Sequence, residues 1–190
     1  MAAPELRSSR LLLRHWRPED RRPFASMNAD PQVMEYEPPT LSTDQSDLLA
    51  ETIQLGLEAR DYGLWAVQIC DDVHGDESPF IGFVGLSVPI WDTAFTPCVE
   101  IGWRLSRPYW GFGYATEAAA QVFEYGFNVL RLDEILSLTS LLNSRSMAVM
   151  QRLGMTRNEN EDFNHPNLDA NDALCRHALF RMSGQLWARK

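Results

Sequence analysis

The spacing of apolar residues changes several times along the chain, and each change predicts a new element. Apolar residues in TDQSDLLAETIQLGLEAR (43–60) recur at intervals of three or four with charged residues between them, which predicts an amphipathic helix. After Gly63, three runs rich in Val, Ile and aromatic residues follow, and turn-forming residues separate them. These runs, at 64–70, 80–89 and 98–105, predict an antiparallel meander.

The second half of the chain alternates helical and strand patterns. An apolar stripe in ATEAAAQVFEYGFNVL (115–130) predicts an amphipathic helix, and the uninterrupted run EILSLTSL (134–141) predicts a strand buried on both faces. NSRSMAVMQRLGM then predicts a helix with Asn143 as its N-cap and Gly154 just past its end. The remaining predicted elements are a strand at 9–16, a helix opening at 17–20 and the closing strand HALFRMS. This order predicts an α/β (α+β) fold with a mixed sheet.

Length and composition favour a single domain spanning residues 1–190. The chain is 45% hydrophobic, which is ordinary globular composition. Its net charge of −9 argues against non-specific nucleic-acid binding, which depends on Lys and Arg neutralising phosphates. Three cysteines without CxxC spacing predict neither disulfides nor a zinc site, and no window approaches the roughly 20 apolar residues of a membrane span. We therefore expect a cytoplasmic protein that binds neither nucleic acid nor membrane.

The stretch RPYWGFGYATEA places two glycines between a predicted strand and a predicted helix. A strand, a glycine turn and a helix in this order expose backbone N–H groups at a helix N-terminus, which is an anion-binding arrangement. Gly111 and Gly113 lack a Cβ, so the peptide between them can approach a pyrophosphate and adopt positive φ. The alternative is a tight turn in which the glycines serve backbone geometry alone.

Two familiar phosphate-binding motifs do not fit this turn. A P-loop closes with Lys and then Ser or Thr, whereas the residues after Gly113 are YAT, without a Lys. The dinucleotide fingerprint requires Gly or Ala where Thr116 stands, and it belongs after the first strand of a βαβ unit rather than after a meander. A P-loop is therefore excluded, and dinucleotide binding is disfavoured.

The segment EIGWRLSRPYWGFGYATEAAAQVFEYGF, followed by NSRSMAVMQRLGM, resembles the GNAT acyl-CoA-dependent N-acetyltransferases, in particular the branch of the ribosomal-protein N-terminal acetyltransferases. The resemblance implies a mostly antiparallel central sheet flanked by helices, with a splayed pair of strands at the cofactor site. Acetyl-CoA is the implied cofactor, with its pyrophosphate at the glycine turn and its pantetheine along the preceding strand. The implied cofactor-binding residues are Ile101, Trp103, Leu105, Trp110, Gly111, Phe112, Gly113, Tyr114, Ala115, Asn143 and Ser146.

Acetyl transfer from a thioester to an amine requires a base for the amine, donors for the oxyanion and a proton for the departing thiolate. Glu100, in the strand before the glycine turn, is the candidate base through a water molecule. Strand alternation leaves its side-chain direction open, and a charge on a solvated face is the alternative. The resemblance implies Ser146 as the proton donor. Asn143 shares a face with Ser146, and helix capping alone would also account for it.

Other residues keep further hypotheses open. In the ribosomal acetyltransferase relatives a catalytic Glu follows the glycine after this helix, but Asn158 aligns there, so Glu159 would need a one-residue shift. That departure keeps a second hypothesis, a non-catalytic acyl-CoA-binding sensor. Cys70, Cys98 and Cys175 lie in apolar strand contexts, which favours direct attack in a ternary complex over a cysteine nucleophile.

The acceptor is the least determined part of the predicted reaction. The resemblance implies a primary amine, either a protein N-terminus or a small molecule. The acidic net charge suits a cationic acceptor but does not identify it. The four histidines show no metal-ligand spacing, so no metal is expected. The segment DFNHP and His177 resemble a region that borders the acceptor pocket in this branch, with ordinary loop structure as the alternative. A homodimer is implied by family habit alone.

Overall fold

Nine strands form one sheet within residues 3–37, 39–70 and 79–190, which the computed structural model describes. The strands are β1 (Leu6–Arg7), β2 (Leu11–Arg14), β3 (Leu64–Ile69), β4 (Phe80–Ser87), β5 (Glu100–Leu105), β6 (Glu134–Ser140), β7 (Thr156–Arg157), β8 (Phe163–Asn164) and β9 (Arg176–Ser183). The helices are α1 (Arg21–Asn28), α2 (Thr43–Ala59), α3 (Tyr114–Asn128), α4 (Ser144–Arg152) and α5 (Gly184–Trp187). Residues 71–78 of the turn predicted before β4, including His74, lie outside the described residues.

The sheet is mixed and mostly antiparallel. Its order is β1-β2-β3-β4-β5-β6-β9-β7, and β8 also pairs with β9. Strands β3, β4 and β5 are sequential antiparallel neighbours, which confirms the predicted meander. The pairing of β5 with β6 is parallel. The α+β fold class expected from the order of elements is thereby confirmed.

Strands β5 and β6 separate almost at once. Their ladder contains a single pair, Glu100 with Leu136, supported by a hydrogen bond from the Leu136 N–H to the Val99 carbonyl at 2.9 Å. On its other edge β5 stays paired with β4 as far as Leu105. Because β4 holds β5 while β6 turns away, a wedge-shaped gap opens between the two strands.

Helices α1 and α3 cover opposite faces of the sheet. Phe24 of α1 packs against Phe83, with ring centroids 6.1 Å apart. Tyr125 of α3 packs edge-on against Trp65 at 5.8 Å. Since Trp65 pairs with Val84, the neighbour of Phe83, the two aromatic contacts lie on opposite faces. Each β5 side chain therefore faces either the α1 layer or the α3 layer.

The helix N-termini differ in how they are capped. The Ser42 hydroxyl accepts a hydrogen bond from the Gln45 N–H at the start of α2, and the Asn143 side chain accepts one from the Ser146 N–H at the start of α4. The cap of Asn143 and Gly154 after α4 agree with the sequence prediction. Helix α3 begins instead after Gly113, which has no side chain to cap it.

Four short elements were absent from the predicted set. They are β1, β7, β8 and α5, each of two to four residues. A segment this short cannot display a period of 2 or 3.6, so tertiary pairing rather than local pattern defines it.

A buried ion pair joins β2 to the entry of α1. The Arg14 guanidinium donates to both carboxylate oxygens of Asp20, at 2.7 and 2.8 Å, and to the Gln68 side chain. The side chains of Arg14 and Asp20 are only 4% and 2% exposed. Removing one partner would leave the other charge buried and uncompensated.

We predict that Asp20→Asn lowers the free energy of unfolding by roughly 3–5 kcal/mol, because it leaves the buried Arg14 charge without a carboxylate. Urea denaturation measures the change. Asp47→Asn is the matched control, since Asp47 pairs with Arg21 at 4.0 Å on the surface, and its cost should stay under about 1 kcal/mol. Equal costs for the two variants would contradict the prediction.

Candidate active site

The glycine turn between β5 and α3 adopts backbone angles that favour glycine. Gly111 and Gly113 both have φ of +84°, in the left-handed region where a Cβ is unfavourable. A Cβ added at Gly111 would meet no atom within 4 Å, and one at Gly113 would have Arg10 Nη2 as its nearest neighbour, at 3.7 Å. The turn therefore presents bare backbone to open space.

The backbone N–H groups of residues 111–116 are unpaired within the described parts of the chain. The first intrahelical bond of α3 runs from the Glu117 N–H to the Gly113 carbonyl at 3.0 Å, so the N–H groups of 114–116 precede the helical ladder. No side chain caps this helix start, and a Cβ added at Gly111 or Gly113 would meet nothing closer than Arg10 Nη2 at 3.7 Å. Several converging donors at the positive end of a helix dipole fit a diphosphate.

A cleft of about 800 Å³ opens beside the turn. It runs between α3 and α4 and is also bordered by the segment that joins α1 to α2. Its lining residues are Val33, Tyr36, Glu37, Trp103, Arg104, Leu105, Tyr109, Trp110, Gly111, Gly113, Tyr114, Ala115, Thr116, Asn143, Ser144, Arg145, Ser146, Ala148, Val149 and Arg152. This volume lies within the range typical of cofactor pockets.

The gap between β5 and β6 exposes a free strand edge to this cleft. The Ile101 carbonyl accepts a hydrogen bond from the Ser137 hydroxyl at 3.0 Å, and the Leu105 carbonyl accepts one from the Trp110 indole at 2.7 Å. Because backbone groups alternate in direction along a strand, the N–H and C=O of Trp103 face the same gap. They offer an edge on which an extended amide chain could pair as an added strand.

Asn143 and Ser146 lie together at the start of α4, beside the cleft. The Asn143 carbonyl oxygen caps the helix, while its amide donates to the Ser146 hydroxyl at 3.1 Å and to the Thr139 hydroxyl at 3.0 Å. A hydroxyl that accepts such a bond still has its own hydrogen to donate. Asn143 thus caps the helix and also orients Ser146.

Glu100 lies on the α1 face of β5, on the side opposite Ile101 and Trp103. It is partly buried and accepts a hydrogen bond from the Ser87 hydroxyl at 2.9 Å. Burial raises the pKa of Glu100, and the nearby Glu37 raises it further, against the lowering effect of the Ser87 hydrogen bond. The carboxyl is therefore not an ordinary solvated surface charge, and a raised pKa makes it a stronger base than an exposed glutamate.

Arg145, in the first turn of α4, lies between two aromatic rings of the cleft. Its guanidinium carbon is 4.7 Å from the Trp110 ring centroid and 5.3 Å from that of Tyr36. It also donates to the Glu35 carboxylate at 2.6 Å, and this hydrogen bond, with one from Tyr36, lowers the pKa of Glu35. These contacts fasten the segment between α1 and α2 to α4 across the cleft.

Most of the predicted cofactor-binding residues line the cleft, while Ile101 and Phe112 do not. Glu100, the candidate base, is also absent from the lining. Ile101 is buried beneath it, and Phe112 points to solvent with 60% exposure. The cleft residues that sequence patterns missed include Val33, Tyr36, Glu37, Arg145 and Arg152. Arg145 could have been suspected, because it stands within the quoted NSRS segment beside Ser146.

The other candidate acids and nucleophiles have different surroundings. Glu159 is exposed, and Glu161 forms an ion pair with Arg181 at 2.8 Å. The Asn158 side chain accepts a hydrogen bond from the Asn160 N–H in a local turn. Burial raises the pKa of the Cys98 thiol to about 11, which disfavours the thiolate that a nucleophile needs.

The histidines of the DFNHP segment and of β9 lie in an aromatic cluster. The rings of His165 and His177 are 5.0 Å apart, and Phe163 and Trp91 pack around them. Burial lowers the pKa of both histidines. No group of three or more potential metal ligands occurs among the described residues. Among those residues, too, no helix is both long enough and apolar enough to cross a membrane.

Comparisons with known proteins relate this arrangement to one family. The acetyltransferase (GNAT) domain family matches residues 10–156. FsC-acetyl coenzyme A-N(2)-transacetylase of Aspergillus fumigatus is 30% identical over 165 residues, which cover 83% of this chain and 67% of that protein. A GNAT-family acetyltransferase structure from Bacillus anthracis superposes with a TM-score of 0.77 at 21% identity, covering 96% of this chain and 99% of that one. A Vibrio cholerae spermidine N-acetyltransferase in complex with CoA and spermine superposes at 0.71 with 18% identity, covering 95% and 99%.

We predict that Gly111→Ala weakens coenzyme A binding about tenfold or more, since losing one hydrogen bond to a charged group costs roughly that much. The added methyl would narrow the space beside the free N–H groups. Calorimetric titration with coenzyme A measures the dissociation constant. Gly154→Ala is the control, because its φ of +70° imposes a similar backbone cost at the far end of α4. Its added Cβ would displace only the flexible end of Lys190, so it should bind as the wild type does. Unchanged affinity in a folded Gly111→Ala protein would contradict the assignment.

Proposed function

The chain belongs to the GNAT acetyltransferase family, and on that premise we propose that residues 1–190 act as one N-acetyltransferase domain that acetylates a primary amine by direct attack within a ternary complex. Family membership makes the protein an acetyl-CoA-dependent N-acetyltransferase. The acceptor, the order of events and the residue roles are the proposed part. The observation that carries the proposal is the run of unpaired N–H groups at 111–116, of which all but Phe112 belong to residues that line the cleft beside the free edge of β5.

Acetyl-CoA supplies the acetyl group as a thioester. We assign its diphosphate to the backbone of 111–116 and its pantetheine to the exposed edge at Trp103. Both assignments use backbone groups, so they require open space more than particular side chains. Arg152 lines the same cleft and adds positive charge for a ligand rich in phosphate. Arg145 lines it too, but Glu35 offsets its charge.

Glu100 and Ser146 are assigned the proton transfers. Glu100, with its pKa raised by burial, accepts the amine proton through a water molecule. Ser146, whose hydroxyl oxygen is held by Asn143, has a free hydrogen to supply at the sulfur. Neither Glu159 nor Glu161 is as well placed, because one is exposed and the other is held by Arg181.

The acceptor is either a protein N-terminus or a small amine. The sequence resemblance to the ribosomal-protein N-terminal acetyltransferases supports the first. The second is supported by a structural neighbour that acts on spermidine, although an identity of 18% supports only a shared fold. The net charge of −9 favours a cationic acceptor of either kind. We also propose a cytoplasmic location, because all three cysteines are free thiols. We propose a homodimer as well, on family habit alone.

Three measurements test the proposed function. Calorimetry should detect acetyl-CoA binding, and no heat at millimolar cofactor would overturn the proposal. A panel of peptides with free N-termini and of polyamines should then give thiol release above the uncatalysed rate. Binding without turnover across the panel would favour the sensor hypothesis. Intersecting initial-velocity lines are expected for a ternary complex, whereas parallel lines would indicate a covalent intermediate.

We predict that the acidic limb of the kcat/KM profile lies at higher pH than for an ordinary glutamate. Burial raises the pKa of Glu100, and the base acts deprotonated, so the rate rises with pH through that value. Ser87→Ala removes the donor that lowers this pKa and should move the limb to still higher pH. Glu100→Gln should lower kcat about 10²–10⁴-fold.

Glu134→Gln is the control for the Glu100 variants, because Glu134 is an exposed partner of Arg181. Its pH profile and kcat should match those of the wild type. If Ser87→Ala leaves the acidic limb of the pH profile unchanged, Glu100 is not the titrating base.

A further inference from the structure

We propose that Arg10 is a positioning residue that sets the orientation of the glycine turn for diphosphate binding. The inference rests on the proposed function, because it assumes that the turn holds the diphosphate of acetyl-CoA. Arg10 does not line the cleft, so it acts on the ligand chiefly through the backbone that it holds rather than by direct contact.

Arg10 reaches the turn from the hairpin formed by β1 and β2. Its Nη2 donates to the Phe112 carbonyl at 3.1 Å, between the two glycines. The guanidinium carbon also lies 4.7 Å from the Tyr114 ring centroid, and Nε donates to the Glu117 carboxylate at 2.7 Å. One planar guanidinium thus contacts the middle of the turn and the first turn of α3 together.

The contact with Phe112 fixes a neighbouring donor. The peptide between Phe112 and Gly113 is trans, so its C=O and N–H point in opposite directions. Arg10 holds the carbonyl on the hairpin side, away from the cleft. The Gly113 N–H then lies on the opposite side of this peptide from Arg10, and Gly113 is one of the residues that line the cleft. A glycine peptide without this tether could flip, because positive and negative φ are similarly accessible to glycine.

Arg10 also balances a charge near the proposed diphosphate. The Glu117 carboxylate, one turn into α3, lies 2.6 Å from Arg10 Nη2. It further accepts hydrogen bonds from the Ser8 and Ser9 hydroxyls and from the Arg10 N–H. Desolvation raises the pKa of Glu117, but these hydrogen bonds outweigh it and the pKa is lowered, so the carboxylate stays charged. Without Arg10, that negative charge would oppose an anion at the same helix end.

Calorimetry with coenzyme A and kinetics with a truncated acetyl donor test the proposal together. Arg10→Ala should raise the dissociation constant for coenzyme A about tenfold, the cost of one hydrogen bond to a charged group. With acetyl-CoA, KM should rise while kcat at saturation stays near the wild-type value. With S-acetylpantetheine, which lacks the diphosphate, the variant and the wild type should have equal kcat/KM. Equal losses with both donors would mean that Arg10 only maintains the fold, and would overturn the proposal.

Further variants separate the tether from the charge. Arg10→Lys keeps the charge but not the planar fork, so it should bind coenzyme A nearly as weakly as Arg10→Ala. The double variant Arg10→Ala/Glu117→Gln removes the charge imbalance, and it should still bind coenzyme A weakly. Recovered affinity would show that Arg10 acts by balancing the Glu117 charge and not by holding the Phe112 carbonyl. Arg7→Ala, in the same hairpin, is the control and should bind normally.

Failure of the wild type to bind coenzyme A would refute the proposed function, while equal binding by the wild type and Arg10→Ala would refute this inference alone.

Discussion

The unpaired N–H groups at the start of α3 are the constraint on which the site depends. A helix start usually receives a side-chain cap, as α2 does from Ser42 and α4 from Asn143. Helix α3 begins at a glycine that offers none, so its donors remain available to a ligand. The absent cap costs little in an open cleft, because water can satisfy the donors until an anion replaces it. The fold therefore leaves the N–H donors of this helix end uncapped and supplies open space in front of them.

The gap between β5 and β6 likewise leaves backbone hydrogen-bonding groups without a partner in the sheet. A sheet normally pairs both edges of an interior strand, yet β5 is paired with β6 only at Glu100. On its other edge β5 is paired with β4 along its whole length, and Trp103 of β5 lines the cleft. The two unpaired features, a helix start and a strand edge, lie at the two ends of the residues 103–116. A long ligand with a diphosphate and an amide chain can therefore engage both without any large side-chain rearrangement.

Sequence patterns predicted the parts of this structure that are local. Helix α2, the meander and the glycine turn follow from period and turn chemistry within short windows, and the cap of Asn143 follows from its position before an apolar stripe. The side-chain direction of Glu100 depended on the register of β5 with β4, which no local pattern contains. Tyr36 and Glu37 come from a segment without period, and Arg10 lies more than a hundred residues from the turn it contacts. These residues enter the site through tertiary contacts alone.

The contact between Arg10 and α3 has a consequence for biosynthesis. Arg10 and Glu117 are separated by 107 positions, so a ribosome makes one long before the other. Contacts of such long range form only after the chain between them has been drawn together. The turn at 111–113 therefore reaches its tethered geometry only once α3 has left the exit tunnel and the nascent sheet has carried the first hairpin to it. A polypeptide released prematurely within α2 or the meander would present Arg10 with no partner.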